Sequence, residues 1–252
     1  MNDINNAFQK QYSESMQNSA KTLDGHIANE NAVTNDYRGR AIYEFFQNAI
    51  DRAEGKIWVH LDPDGRRLII ANDGESFSIV KEEGRKYSDF ESLCSINTSS
   101  KNQDESIGNK GVGFKSCWEY TSEVSICSVY EGRKWGFKMY NPLGKEQLDR
   151  FASDEIKDWL IQDNYLEVVQ RHSKVPSFYF PERLEEEDCE VYFTDFPGAV
   201  TVIVFHDIEE NKVADLEEKI EEFASHQIFF VQQLEKLQDK NVELNLSVGD
   251  YF

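Results

Sequence analysis

Between Lys56 and Asn72 the chain reads KIWVHL, then DPDG, then RRLIIAN. Both outer runs are rich in β-branched and large apolar residues, and the proline and glycine between them suit a chain reversal. A connection this short joins antiparallel neighbours, because parallel strands need a crossover of about a dozen residues or more. The device recurs in EVSICSVY and RKWGFKMYN around EGRK. AVTVIVFHDI is the most β-like run in the chain. VADLEEKIEEF follows it as an amphipathic helix with Val213, Leu216, Ile220 and Phe223 on one face. Upstream, ENAVTNDYRGRAIYEFFQNAIDRAEG carries Ile42, Phe45, Phe46, Ala49 and Ala53 at helical spacing, with Gly55 as a stop. Residues 143–172 also read as helix, on Leu148, Phe151, Ile156, Trp159 and Leu160. Strand pairs interleaved with helices predict one α/β domain over residues 30–240.

The flanks are polar. Residues 1–29, with apolar positions at Ile4, Phe8, Tyr12 and Met16, read as an N-terminal arm, and residues 241–252, ending NLSVGDYF, as the start of a linker or further domain. VPSFYFP reads as a proline-flanked link and ERLEEEDCE as solvated surface. The 252 residues are 39% hydrophobic and 13% aromatic, enough for a folded core. Lys+Arg of 27 against Asp+Glu of 47 gives a net charge of −20, which repels a polyanion, so direct nucleic-acid binding is not expected. Cys94, Cys117, Cys127 and Cys189 form no CxxC pair and read as buried reduced thiols. MNDINNAFQK holds no apolar signal core and no run approaches a membrane span, so a cytoplasmic protein is expected.

IGNKGVGFKS, residues 107–116, has the composition of a phosphate loop. It is not a Walker loop: Phe114 stands where the lysine is needed, Lys115 comes one place late, and the polar run SSKNQDES precedes it where a buried strand belongs. Nor is it a dinucleotide loop, because Ser116 holds the third glycine position. On these residues alone a glycine-rich turn with no ligand remains open. The helix upstream adds weight to a ligand. Glu44, Asn48 and Asp51 fall at i, i+4 and i+7 on one face of YEFFQNAID, and Arg40 extends the stripe. An asparagine there has mediocre helix propensity, which a bound group would offset.

Taken in order, YEFFQNAID, the strand RLIIANDG, a polar lid and IGNKGVGFKS resemble the GHKL superfamily of ATPases, in particular the heat-shock-chaperone type and sacsin-like bacterial domains. Glu44, Asn48 and Asp51 look like the family's ExxxNxxD box; Gly108, Gly111 and Gly113 look like its GxxGxG box. TVIVFHDI, beginning at Thr201, and its acidic helix look like the last core strand and helix of the chaperone nucleotide domain. The likeness spans roughly residues 30–235. It implies the Bergerat fold, a two-layer α/β sandwich with helices on one face of a mixed, mostly antiparallel sheet.

The resemblance implies ATP and Mg²⁺ as ligands, with Asn48 as metal ligand and Glu44 as general base. Gly108, Lys110, Gly111, Val112, Gly113, Phe114 and Lys115 would meet the phosphates, and Ser99, Ser100 and Lys101 would close over the nucleotide. Thr201 would join the nucleotide site. The family's DxGxG box is altered here to Asn72, Asp73, Gly74, Glu75, Ser76, so either Asn72 or Asp73 takes the adenine amino group. By the same likeness the domain is an ATPase that acts as a dimerisation switch in a larger protein, with a C-terminal effector region or partner and a role in bacterial anti-phage defence. A non-hydrolysing ATP sensor and a histidine-kinase-type enzyme are the alternatives.

Overall fold

The computed structural model describes residues 2–36, 41–95, 113–224 and 242–249. Its centre is a seven-stranded sheet in the order β5-β4-β3-β6-β2-β1-β7. The strands are β1 (Lys56–Asp62), β2 (Arg67–Asn72), β3 (Glu123–Tyr130), β4 (Arg133–Tyr140), β5 (Glu182–Leu184), β6 (Thr201–His206) and β7 (Glu243–Val248). All neighbours are antiparallel except β1 and β7. Both predicted hairpins form, β1 with β2 and β3 with β4, and the most β-like run becomes β6, between β3 and β2. The mixed, mostly antiparallel α/β class is the expected one.

Strand alternation divides the apolar residues between two faces. Ile57, Val59, Leu61, Leu68, Ile70, Val124, Ile126, Ile203 and Phe205 join the larger core on the first face. That face is covered by α1 (Asn2–Met16), α2 (Ala20–Asp36), α3 (Ala41–Arg52) and α9 (Glu210–Ala224). Phe45 of α3 lies 4.7 Å from Phe205 of β6, ring centre to ring centre, and Phe46 lies 4.7 Å from Phe223 of α9. The second face carries a smaller cluster with Trp58, Ile69, Cys127, Val202 and Val204. The run ERLEEEDCE, expected as solvated surface, supplies β5 and the start of helix α8 (Glu186–Phe193), whose Cys189 and Phe193 cap this second cluster. Gly136 on β4 permits that approach: a Cβ there would stand 2.6 Å from the Ile126 carbonyl oxygen and 2.8 Å from both the Cys127 and Cys189 sulfurs.

Other segments are more integrated than their composition suggests. The N-terminal arm is α1 and the first half of α2, and its apolar residues fall at helical intervals, so Ile4, Phe8, Leu23 and Ile27 enter the main core. α1 is also bonded to the segment expected as a link: Gln11 Nε2 donates to the Phe178 carbonyl at 2.9 Å and Ser15 Oγ to that of Tyr179 at 3.0 Å. Val175, Phe178, Tyr179 and Phe180 in that link are buried. Residues 143–172 fold as three short helices, α5 (Lys145–Phe151), α6 (Asp154–Leu160) and α7 (Asp163–His172). Ser153 caps α6 and interrupts the run. The C-terminal stretch expected as a linker contributes β7, parallel to β1.

Candidate functional site

α3 carries the polar stripe. Its buried residues are Ala41, Ile42, Phe45, Phe46, Gln47, Ala49 and Ile50, and Glu44, Asn48 and Asp51 are half-buried along the remaining side. A half-buried polar stripe on a helix otherwise enclosed by core differs from a solvated face, which would be open to water along its length. The aromatic contacts of Phe45 and Phe46 fix the rotation of the helix about its axis, and with it the direction of the stripe.

The C-terminal end of α3 is fastened to the segment after β2. The Glu75 N–H donates to the Arg52 carbonyl at 2.8 Å, and the backbone passes so close at Gly74 that a Cβ would lie 2.0 Å from that same oxygen. Only glycine fits. Arg52 reaches across to a buried carboxylate: its two terminal nitrogens donate to Asp89 of α4 (Asp89–Leu93) at 2.8 and 2.5 Å, and one also to the Ser76 carbonyl at 3.1 Å. Ser78 donates to Asp89 from both its N–H, at 2.9 Å, and its hydroxyl, at 3.0 Å. This bidentate, charge-assisted network holds residues 73–78 against the helix.

The two candidates for the base contact part company here. The Asp73 carboxylate accepts from the backbone N–H groups of Gly55, at 3.0 Å, and Glu54, at 3.3 Å. Burial opposes its charge, and the backbone donors of the α3–β1 turn outweigh that and hold the carboxyl below its usual value. It therefore serves the turn. Asn72, 5% exposed, is the last residue of β2 and follows Leu68 and Ile70 on the first face.

From Asn72 a row of polar residues crosses the sheet in register: Asn72 opposite Thr201, Thr201 opposite Ser128, Ser128 opposite Trp135. The Phe77 N–H donates to Ser128 Oγ at 2.8 Å and to Thr201 Oγ1 at 3.1 Å, and Ser128 Oγ donates to the Val200 carbonyl at 2.9 Å. Asn72 Nδ2 donates to the Glu75 carbonyl at 3.4 Å, which turns Oδ1 the other way; among the described residues nothing donates to that oxygen. Trp135 Nε1, also buried, has no partner among them either. Sequence reasoning missed Ser128 and Trp135, although a serine two residues beyond Ile126 on an apolar alternation was a readable signal.

Of the glycine loop, Gly113, Phe114 and Lys115 are described; they open a 3-10 helix, Gly113–Glu119, that lies against α2 and α3. The Phe114 ring meets Phe45 at 5.8 Å. Lys115, expected at the phosphates or at the surface, is 4% exposed: its ammonium donates to the Ser95 carbonyl and lies 4.3 Å from the centre of the Phe178 ring. Burial pushes its pKa down to about 8, against the pull of Glu30. Glu30, itself buried, accepts from the Ser177 N–H at 3.1 Å and stands 3.6 Å from the Lys174 ammonium. Arg40, Ser99, Ser100, Lys101, Gly108, Lys110, Gly111 and Val112 lie outside the described residues.

Among the described residues no group of three or more His, Cys, Asp or Glu side chains converges as a metal cage. A nucleotide-bound Mg²⁺ does not require one, since phosphate oxygens and waters fill most of its six positions. Asn48, on a half-buried face, offers a neutral oxygen of the kind a nucleotide-bound Mg²⁺ takes, and the Asn72 carbonyl is a hydrogen-bond acceptor for an amino group. His206 holds Ser125 Oγ at 2.9 Å, and burial lowers its pKa to about 4, so it is not poised as an exposed phosphoryl acceptor. No helix among the described residues is long and apolar enough to cross a membrane.

No family model and no curated protein matches the sequence. Among solved structures the chain is similar to the ATPase region of Saccharomyces cerevisiae topoisomerase II, with a TM-score of 0.45 and 15% identity over 84% of this chain and 48% of that one. The same region bound to ICRF-187 (dexrazoxane) gives a TM-score of 0.43 and 14% identity, again over 84% and 48%. The chain thus spans about half the length of these structures, 48% in each case. Likeness at this level assigns no residue a role, and the chemistry of the site follows from this chain's own side chains.

Proposed function

We propose that this domain is a GHKL-type ATPase that binds ATP with Mg²⁺ between the polar stripe of α3 and the Asn72–Thr201 end of the sheet, and hydrolyses it slowly. The observation that carries the reading is the Gly74 contact. It brings the strand end bearing Asn72 against the helix bearing Glu44, Asn48 and Asp51, two motifs that resemblance alone pairs in sequence.

In this reading Asn72 Oδ1 accepts from the amino group of adenine, its amide held in that sense by the Glu75 carbonyl. Thr201 and Ser128 support the row behind it, and Asp73 and Gly74 position the segment without touching the base. Backbone N–H groups from Gly108 to Phe114, with Lys110, receive the phosphates, and Ser99, Ser100 and Lys101 complete the cover. Asn48 Oδ1 holds the metal and Asp51 supports that end of the stripe. When bound there, magnesium would supply positive charge that offsets that of the phosphates. Glu44, one turn before Asn48, takes the proton of the attacking water. Hydrolysis then releases a conformational switch, for which we propose a dimer that closes on ATP and signals to an effector region or partner protein. A role in defence against foreign DNA rests on the sequence likeness alone.

Turnover distinguishes this from a sensor that only binds. Glu44→Ala is expected to lower phosphate release by roughly 10²–10⁴-fold with ATP still bound. An unchanged release rate sinks the hydrolytic assignment. Acid-labile phosphate on the protein after incubation with labelled ATP points instead to a kinase.

A further inference from the structure

Gln47 is the one buried side chain of α3 that is not apolar. It is 6% exposed, and its Nε2 is shut off from solvent without a hydrogen-bond partner among the described residues. A buried amide donor left unpaired is costly, and leucine at the same place would avoid that cost. A catalytic role or a bound water accounts for such a group.

Helical geometry gives the neighbours of Gln47 along α3. At about 100° per residue, Gln47 sits roughly 60° to one side of Glu44 and Asn48 roughly 40° to the other, so the two amides flank the carboxylate. Gln47 is also next to Asp51, four residues on. Side chains three residues apart on a helix have Cβ atoms about 5–6 Å apart, a gap one water spans when it bonds to both termini. A carboxylate can only accept from that water and an amide nitrogen can only donate to it. The pair therefore fixes one O–H toward Glu44 and leaves a lone pair facing outward.

We propose that Gln47 is a further catalytic residue, whose Nε2 donates to the oxygen of the water that Glu44 deprotonates. This rests on the ATPase reading above. In the step, the water oxygen forms a bond to the γ-phosphorus as the bond to the β,γ-bridging oxygen breaks. ADP leaves with that electron pair, and the water proton passes to Glu44. Gln47 contributes orientation, not proton transfer, so its removal is expected to lower kcat and leave ATP affinity in place.

The test is steady-state phosphate release and calorimetric Mg²⁺–ATP binding for the wild type, Glu44→Ala, Gln47→Leu and Gln47→Glu, with thermal unfolding of each. Gln47→Leu is expected to lower kcat about 10- to 100-fold, the cost of a misplaced reactant. Its Kd for ATP should stay within about twofold and its Tm should not fall, since an unpaired donor has been removed from the core. Gln47→Glu puts a second carboxylate beside Glu44 and is expected to move the acid limb of the kcat–pH profile to higher pH. Wild-type kcat in Gln47→Leu overturns the proposal, and so does a joint fall of kcat, affinity and Tm, the mark of a packing role. Failure of the ATPase reading looks different: the wild type releases no phosphate, or Glu44→Ala releases it at the wild-type rate.

Discussion

Two polar regions meet at α3 and differ in what they leave unspent. At its C-terminal end, Arg52, Asp89 and Ser78 are tied to one another, with both carboxylate oxygens accepting from arginine and serine donors. Along its side Gln47 Nε2 is buried with nothing described to bond it, and at the end of β2 nothing described donates to Asn72 Oδ1. Burying polar groups is costly, and the bonds among Arg52, Asp89 and Ser78 recover that cost within the chain itself. The bonded cluster holds the fold together; the unbonded groups of α3 and β2 are the ones the proposed ligand would meet.

This contrast predicts different losses. Asp89→Ala removes the bidentate partner of the Arg52 guanidinium and leaves it the Ser76 carbonyl at 3.1 Å and Glu75 at 3.8 Å; it is expected to cost about 3–5 kcal/mol in denaturant unfolding, the largest stability effect here. A cost under 1 kcal/mol would break the distinction from the scaffold side. Gly74→Ala, which drives a methyl into the Arg52 carbonyl, should cost about 1–3 kcal/mol and weaken ATP binding as the two motifs separate. Asn72→Leu is the complementary case: stability should change little, while ATP affinity falls by about 1–3 kcal/mol, and Asn72→Asp, which keeps an acceptor, should retain most of it. Calorimetry that finds Asn72→Leu binding as well as the wild type removes Asn72 from the site.

The smallest effect concerns pH. His206, bonded to Ser125 on the second face, has its folded pKa lowered from 6.5 to about 4 by burial. Between those values the unfolded chain binds the extra proton, so stability should fall as pH drops from about 6.5 toward 4. His206→Phe should flatten that slope without touching ATP binding.

Much of this was legible in the sequence. DPDG and EGRK set two hairpins, and the periodicity of Phe45, Phe46 and Ala49 set α3. Alternation along RLIIAN from Leu68 and Ile70 also puts Asn72 on the first face. What was not legible depends on long-range partners. β7 has a weak pattern of its own and becomes a strand by pairing with β1, about 190 positions away in the chain on the parallel-crossover route. α1 shows one apolar residue per turn, too few to announce a core helix. Lys115 reads as surface, and its burial follows from Glu30, Ser95 and Phe178, which no local pattern brings together.

The central claim, that the stripe of α3 faces a magnesium-bound nucleotide, is tested most directly at Asn48. Calorimetric titration of ATP into Asn48→Ala, with and without Mg²⁺, should show magnesium-dependent affinity lost while the unfolding transition stays where it is in the wild type. Wild-type, magnesium-dependent binding in Asn48→Ala would contradict the account.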